Sequence, residues 1–131
     1  MVVITSSEAS RYFVDPSQQI YGLDPDYLPG EPFEYWAQGP FCGVFYPGPM
    51  QGVWMIHVAA LPEGRGKLVD PALVVLRDFS AQKGYPLIMG WTPTRLRAAI
   101  ALAKRVGFTE VGGFVANGES FTITTWRQKC Q

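Results

Sequence analysis

The stretch Gly52–Trp91, GVWMIHVAALPEGRGKLVDPALVVLRDFSAQKGYPLIMGW, decides the fold. Its opening run, Gly52–Leu61, is apolar on both faces apart from His57, the pattern of a central strand covered on each side. Asp70-Pro71 then marks a helix start. Asp70 serves as the cap for the first free amides, and Pro71 stands at the first helical position, where its missing N–H costs nothing. The pattern predicts a helix to about Gln82, stopping before Gly84, with the continuously apolar Ala72–Leu76 packed on a sheet. Tyr85–Trp91 reads as a second buried strand. A strand–helix–strand unit of this kind belongs to an α/β or α+β domain whose sheet is covered on its faces.

Toward the C-terminus, Leu96, Ala99, Ile100, Ala103 and Val106 recur at three- and four-residue spacing, the clearest amphipathic helix in the chain. Arg97, Lys104 and Arg105 occupy its other face, and Gly107 is the expected left-handed cap. Phe108–Phe114 and Glu119–Trp126 follow as strands joined at Asn117-Gly118, a strong hairpin signal. Toward the N-terminus, Phe33–Gln38 and Phe41–Tyr46 form an expected hairpin around Gly39-Pro40, and PGPMQG turns into the central strand. Residues 1–32 are turn-rich, with room for one short helix near Ser7–Phe13. No internal repeat or low-complexity tract divides the chain, so residues 1–131 read as one domain.

Composition excludes several classes. With 47% hydrophobic and 17% charged residues, the chain can bury a core. No run approaches the length of a membrane span, and the N-terminus lacks the basic start and apolar block of a signal peptide. Cys42 and Cys130 fit no metal or redox spacing, and they read as free thiols in a reducing compartment. No metal site is expected. The net charge of zero hides an asymmetry: residues 1–64 carry one base and seven acids, residues 65–131 ten bases and four acids. Such a split suits halves that attract each other, or a basic half that meets an anion. No nucleic-acid-binding motif accompanies the bases, so neither nucleic acid nor membrane is expected as a partner.

The order of elements and the residues at its joints resemble the GNAT N-acetyltransferase superfamily. Three pieces carry the resemblance: a buried strand running through ALPEGRG into a helix, a helix ending in AKRVGF before TEVGGF, and the terminal strand FTITTW. More narrowly, IHVAALPEGRG followed by IALAKRVGF resembles short GNAT-like proteins encoded by bacteriophages. The match covers about residues 40–127. It implies a mixed, mostly antiparallel sheet with helices on both faces, acetyl-CoA as cofactor, and transfer of an acetyl group to an amine.

The family's diphosphate loop has the form Q/R-x-x-G-x-G/A, which falls on Arg65-Gly66-Lys67-Leu68-Val69-Asp70. Amides at a helix start form an anion-binding concavity, and glycine lets phosphate approach them. Arg65 matches the first position. Leu68 puts bulk where the backbone should face phosphate, and Asp70 adds a carboxylate at the anion's end of the helix. Arg65, Gly66 and Lys67 are therefore either cofactor-binding or a solvated turn capped by Asp70. The resemblance also assigns the backbone of Val58 and Ala60 to the acetyl carbonyl.

His57 is the candidate catalytic base, because an unperturbed imidazole accepts a proton near neutrality. The alternative is a packed histidine bonded to a neighbouring carbonyl. Tyr46, Glu63 and Tyr85 are further acids or bases by residue type alone. The family's general-acid tyrosine falls on Ala103 and its frequent asparagine on Leu96, neither of which transfers a proton. Tyr21, Tyr27, Tyr35 and Trp36 either line a substrate groove or fill the core, and Trp54, Trp91 and Trp126 are core or interface anchors. Arg97, Lys104 and Arg105 either meet the 3′-phosphate of coenzyme A or are solvated.

Two functional readings follow. The first is an acetyl-CoA-dependent N-acetyltransferase of phage type, acting in the (host) cytoplasm on a small-molecule or protein amine. The second is a non-catalytic GNAT-fold protein of a phage virion or its assembly. It would act through contacts with phage structural proteins or with further copies of itself, as the charge polarity of the halves would permit.

Overall fold

The computed structural model describes residues 2–15 and 24–128. Tyr21 and Cys130 lie outside them. One seven-stranded sheet runs in the order β1-β2-β3-β4-β5-β7-β6. Its strands are β1 Val2–Ile4, β2 Glu34–Gln38, β3 Phe41–Pro47, β4 Val53–Ala60, β5 Leu87–Pro93, β6 Thr109–Ala116 and β7 Glu119–Trp126. Every neighbouring pair is antiparallel except β4 and β5, which are parallel. The helices are α1 Ser6–Ala9, extended by a 3-10 turn over Ser10–Tyr12, then α2 Val69–Gln82 and α3 Arg97–Val106. This is the mixed, mostly antiparallel α+β sheet with helices on both faces that the sequence predicts.

Local chemistry explains most boundaries. Asn117 and Gly118 both take positive φ, 51° and 77°, as a two-residue hairpin of matching twist requires. Gly107, at φ 106°, ends α3 with two local main-chain cap bonds: its own N–H reaches Lys104 O at 3.1 Å, and Phe108 N–H reaches Ala103 O at 2.9 Å. Thr5 and Glu8 cap α1 reciprocally. Thr5 N–H donates to Glu8 Oε1 at 3.0 Å, and Glu8 N–H donates to Thr5 Oγ1 at 3.2 Å. β1 has no counterpart in the sequence reading, because three residues show no period.

The start of α2 differs from expectation. Leu68, not Asp70, holds the N-cap position, and no side chain caps the helix. Asp70 and Pro71 are its second and third residues. The reason is tertiary. The Gly64–Lys67 turn closes through Lys67 N–H to Gly64 O at 2.8 Å, and Leu68, packed against the core, then gives Ala72 N–H its acceptor at 3.0 Å. Pro71 still removes only an amide that the first turn leaves free.

Two cores sandwich the sheet. Under α2 and α3, Trp36, Phe41, Phe45, Ile56, Ile88 and Trp126 pack with Ala72, Val75, Leu76, Phe79 and Val106. Phe79 stands at the centre: it stacks on Phe45 with centroids 3.8 Å apart and meets Trp36 and Trp54 edge-on, each at 5.3 Å. On the other face, Ala9, Tyr12 and Phe13 cover Tyr35, Ala37, Cys42, Val44 and Ala59. The acidic and basic halves of the chain meet at Lys83 and Glu34, 2.8 Å apart. No helix among the described residues is long and apolar enough to cross a membrane.

Candidate functional site

The parallel pair β4 and β5 is short. It runs from Val53↔Leu87 through Trp54↔Ile88 to Met55↔Met89 and then stops. Beyond that point β4 stays with β3, to Ala60↔Phe41, while β5 stays with β7, to Pro93↔Phe121. The two strands therefore diverge, and a wedge opens between them toward Ala60 and Pro93.

Strand geometry fixes what lines this wedge. In a strand, the N–H and C=O of one residue point to the same neighbour, and successive residues alternate. Gly52 C=O accepts from Leu87 N–H at 3.0 Å, so its backbone faces β5. Val53 faces the other way, its C=O accepting from Gly48 N–H at 2.8 Å. By alternation, Ile56, Val58 and Ala60 turn their backbone groups to the unpaired edge. Val58 and Ala60 are the two positions to which the resemblance assigns the acetyl carbonyl.

Side chains follow the same alternation. Ile56 and Val58 pack on the α2 side, and Gly90 shares that face, since a Cβ there would lie 3.4 Å from Ile56 Cγ2. His57 thus points to the opposite face, where its ring stacks on Phe13 at 6.3 Å. Met89 and Trp91 point there too. Burial pushes the His57 imidazole down to about 4, so it is neutral at physiological pH and only a weak proton acceptor.

Tyr46, opposite Met55 in register, occupies the same face and packs on Phe33 at 4.8 Å. Burial raises its pKa, while the Trp91 indole, donating toward its hydroxyl, works the other way. Nothing in the local sequence links Tyr46 to Trp91 or Phe13 to His57. Only the tertiary packing reveals both pairings.

The diphosphate loop is arranged less simply. Gly66, at φ 78°, takes a conformation that favours glycine. Gly64 is buried, and a Cβ there would lie 2.5 Å from Pro40 Cβ, so only glycine lets the loop seat on the β2–β3 turn. Arg65, Gly66 and Lys67 are exposed. Beyond them the first-turn amides of Leu68, Val69 and Asp70 lie outside the reach of intrahelical acceptors, and Pro71 has no N–H to add. Lys67 lines a groove of about 680 Å³ with Arg11, Glu63 and Asp70. No residue of β5 borders that groove, which is separate from the wedge.

The remaining sequence candidates disperse. Tyr35 and Trp36 are core residues, 2% and 1% exposed, with Tyr35 Oη donating to Pro29 O and Trp36 Nε1 to Glu34 Oε1. Tyr27 is exposed. Trp54 and Trp126 belong to the core, while Trp91 does not. Glu63 sits in the separate groove, and Tyr85 lies in the turn before β5, at the closed end of the wedge. Ala103 stands on α3 as expected, whereas Leu96, expected within the helix, is its N-cap. Lys104 pairs with Glu110 at 3.6 Å, and Arg97 and Arg105 are exposed. Cys42 is buried, its thiol pushed up to about 12. The described residues hold no cluster of three or more His, Cys, Asp or Glu able to bind a metal.

No protein-family model matches the chain, and no curated protein sequence is similar to it. Solved structures are similar in fold. AAC(6′)-Ib, in complex with paromomycin and acetyl-CoA, superposes with a TM-score of 0.72 at 13% identity, over 97% of this chain and 92% of that one. An IAA acetyltransferase from Bacillus cereus gives 0.67 at 14% identity, over 97% of both chains. A mutant spermidine N-acetyltransferase from Vibrio cholerae gives 0.60 at 14% identity, over 68% of this chain and only 57% of its own length. At such identities the likeness is one of fold: the chain has the fold of the GNAT acetyltransferases. None of these likenesses bears on a phage origin.

Proposed function

We propose that this protein is an N-acetyltransferase that uses acetyl-CoA. The observation that carries the reading is the parting of β4 and β5 after Met55 and Met89. It leaves an open strand edge inside a covered sheet, where an extended ligand can complete the ladder. Such an edge is otherwise a liability that folded proteins pair or cover.

The residues present fit this cofactor. Alternate amides of a strand lie roughly 7 Å apart, so one of the Val58 and Ala60 edge amides would donate to the acetyl carbonyl and the other to a further carbonyl of the cofactor. Arg65, Gly66 and Lys67, together with the free amides that open α2, would hold the diphosphate. Bound there, the cofactor supplies an acetyl thioester: a C–N bond to the acceptor amine replaces the C–S bond, and the amine proton passes in net terms to the sulfur. His57 stands on the acceptor side of β4 as the proton-accepting group. With its imidazole held neutral, it can accept a proton but has little driving force to keep it, so it passes protons on to water. The acceptor, a small-molecule or protein amine, approaches from the face opposite α2.

Calorimetric titration with acetyl-CoA tests the reading. Micromolar binding is expected, weakened by about tenfold in Arg65→Ala through loss of one charge-assisted phosphate contact. No heat at millimolar acetyl-CoA would overturn it.

A second reading has its own observation. Among the described residues, the lowered pKa of His57 and the Ala103 position on α3 leave the wedge poor in proton-transfer groups. That suits a GNAT-fold protein that has lost catalysis and serves assembly, in a phage virion or elsewhere. The same titration separates the two.

A further inference from the structure

Among the described residues, the face of the sheet opposite α2 is covered only in part. Phe13 and Tyr12 roof the β1–β4 side, but the β5–β7–β6 side carries a cluster of rings over which no helix of the described residues lies. Phe114 and Phe121, opposite each other in register, stack with centroids 5.0 Å apart and planes 13° from parallel. Trp91 closes the cluster at 5.3 Å from Phe121 and 5.7 Å from Phe114. Despite this packing, Trp91 is 45% and Phe114 38% exposed. Exposed apolar patches of this kind mark sites of contact with something else.

Their location identifies what they touch. Phe121 lies opposite Pro93, at the wide end of the wedge, and Trp91 stands two residues beyond the last β4–β5 pair. The cluster is therefore continuous with the acceptor side of the wedge. Tyr46 reaches across β4 toward the Trp91 indole at the narrow end, and His57 and Phe13 form the opposite wall. Tyr46, His57, Trp91, Phe114 and Phe121 make these walls predominantly aromatic. They offer ring faces and edges, which suit a flat apolar body.

Resting on the acetyltransferase reading, we propose that Trp91, Phe114 and Phe121 form the acceptor platform, and that the acceptor is a primary amine carried on an aromatic ring. The ring stacks on the platform while the amine extends on a short linker past Trp91 toward Val58 and His57. In net terms the amine nitrogen gains the acetyl carbon and gives up one proton, and the thioester sulfur leaves with its electron pair and receives that proton.

The test compares 2-phenylethylamine with spermidine as acceptors for the full chain, with acetyl-CoA binding followed separately by calorimetry. The expected result is a kcat/KM for 2-phenylethylamine at least about tenfold above that for spermidine. Phe114→Ala, which removes an exposed side chain, should lower that ratio by roughly tenfold, mainly through KM. If acetyl-CoA binds but spermidine is preferred, or if Phe114→Ala weakens both amines equally, the platform assignment is overturned while the acetyltransferase stands. If acetyl-CoA does not bind at all, the parent reading falls. A native mass showing a dimer that Phe114→Ala dissolves would make the cluster an interface between copies, and would also overturn the assignment.

Discussion

Replacing His57 by glutamine should remove much of the protein's sensitivity to acid. Burial holds the imidazole at about 4 in the folded chain, against an ordinary value of 6.5 when unfolded. The sign follows from linkage: between these values the unfolded chain binds a proton that the folded chain refuses. The neutral histidine's contribution is complete above about 6.5 and is lost as the pH falls toward 4. At roughly 1.4 kcal/mol per pH unit of separation, the loss amounts to ~2 kcal/mol at pH 5 and ~3 kcal/mol at pH 4. Nearby titratable groups do not blur the effect, since Cys42 is pushed up to about 12 and Tyr46 is also raised, so neither changes charge in this window. The lowered carboxyl of Glu8 loses its contribution in acid as well, but it does so equally in both proteins. Urea unfolding of the wild type and His57→Gln at pH 7.5, 6, 5 and 4.5 measures the difference. Two stability curves that stay parallel within about 0.5 kcal/mol would refute the burial argument.

One further substitution and one labelling experiment probe the loop and the second core. Gly64→Ala would drive a Cβ to 2.5 Å from Pro40, and should cost about 1–3 kcal/mol by overpacking, read as a lower urea midpoint. It should also weaken acetyl-CoA, because the seat of the Arg65–Lys67 turn moves. Cys42, fully buried with its thiol raised, should resist iodoacetamide at pH 8 until the protein unfolds, as peptide mass spectrometry would show.

The sequence made the fold legible where structure is local. Asn117-Gly118 and Gly107 need positive φ, and only a hairpin and a helix end supply it at those places. The apolar run over Gly52–Leu61 marks a strand covered on both faces whatever its neighbours are. Where packing decides, the sequence was silent. Leu68 starts α2 because it reaches the core, and no cap signal records that. Tyr35 and Trp36 look like groove aromatics in a Pro-rich context, yet alternation on β2 sends one to each core. The site was half legible. Val58 and Ala60 could be named from the resemblance, but their turn toward the wedge depends on strand register. The acceptor side was not legible at all, since Phe13, Tyr46, Trp91, Phe114 and Phe121 are scattered along the chain and meet only through the sheet.

The short β4–β5 pairing has a mechanical consequence. Three rungs are too few to hold two blades of sheet at a fixed angle, so the brace must come from above. Phe79 supplies it, wedged against Trp36, Phe45 and Trp54 on one blade, in the same cluster as Ile88 and Trp126 on the other. The gape of the opening is thus tied to the core under α2, the cluster that joins the two blades on the far face of the sheet. Affinity at the mouth and stability of the hinge are then two readouts of the same joint.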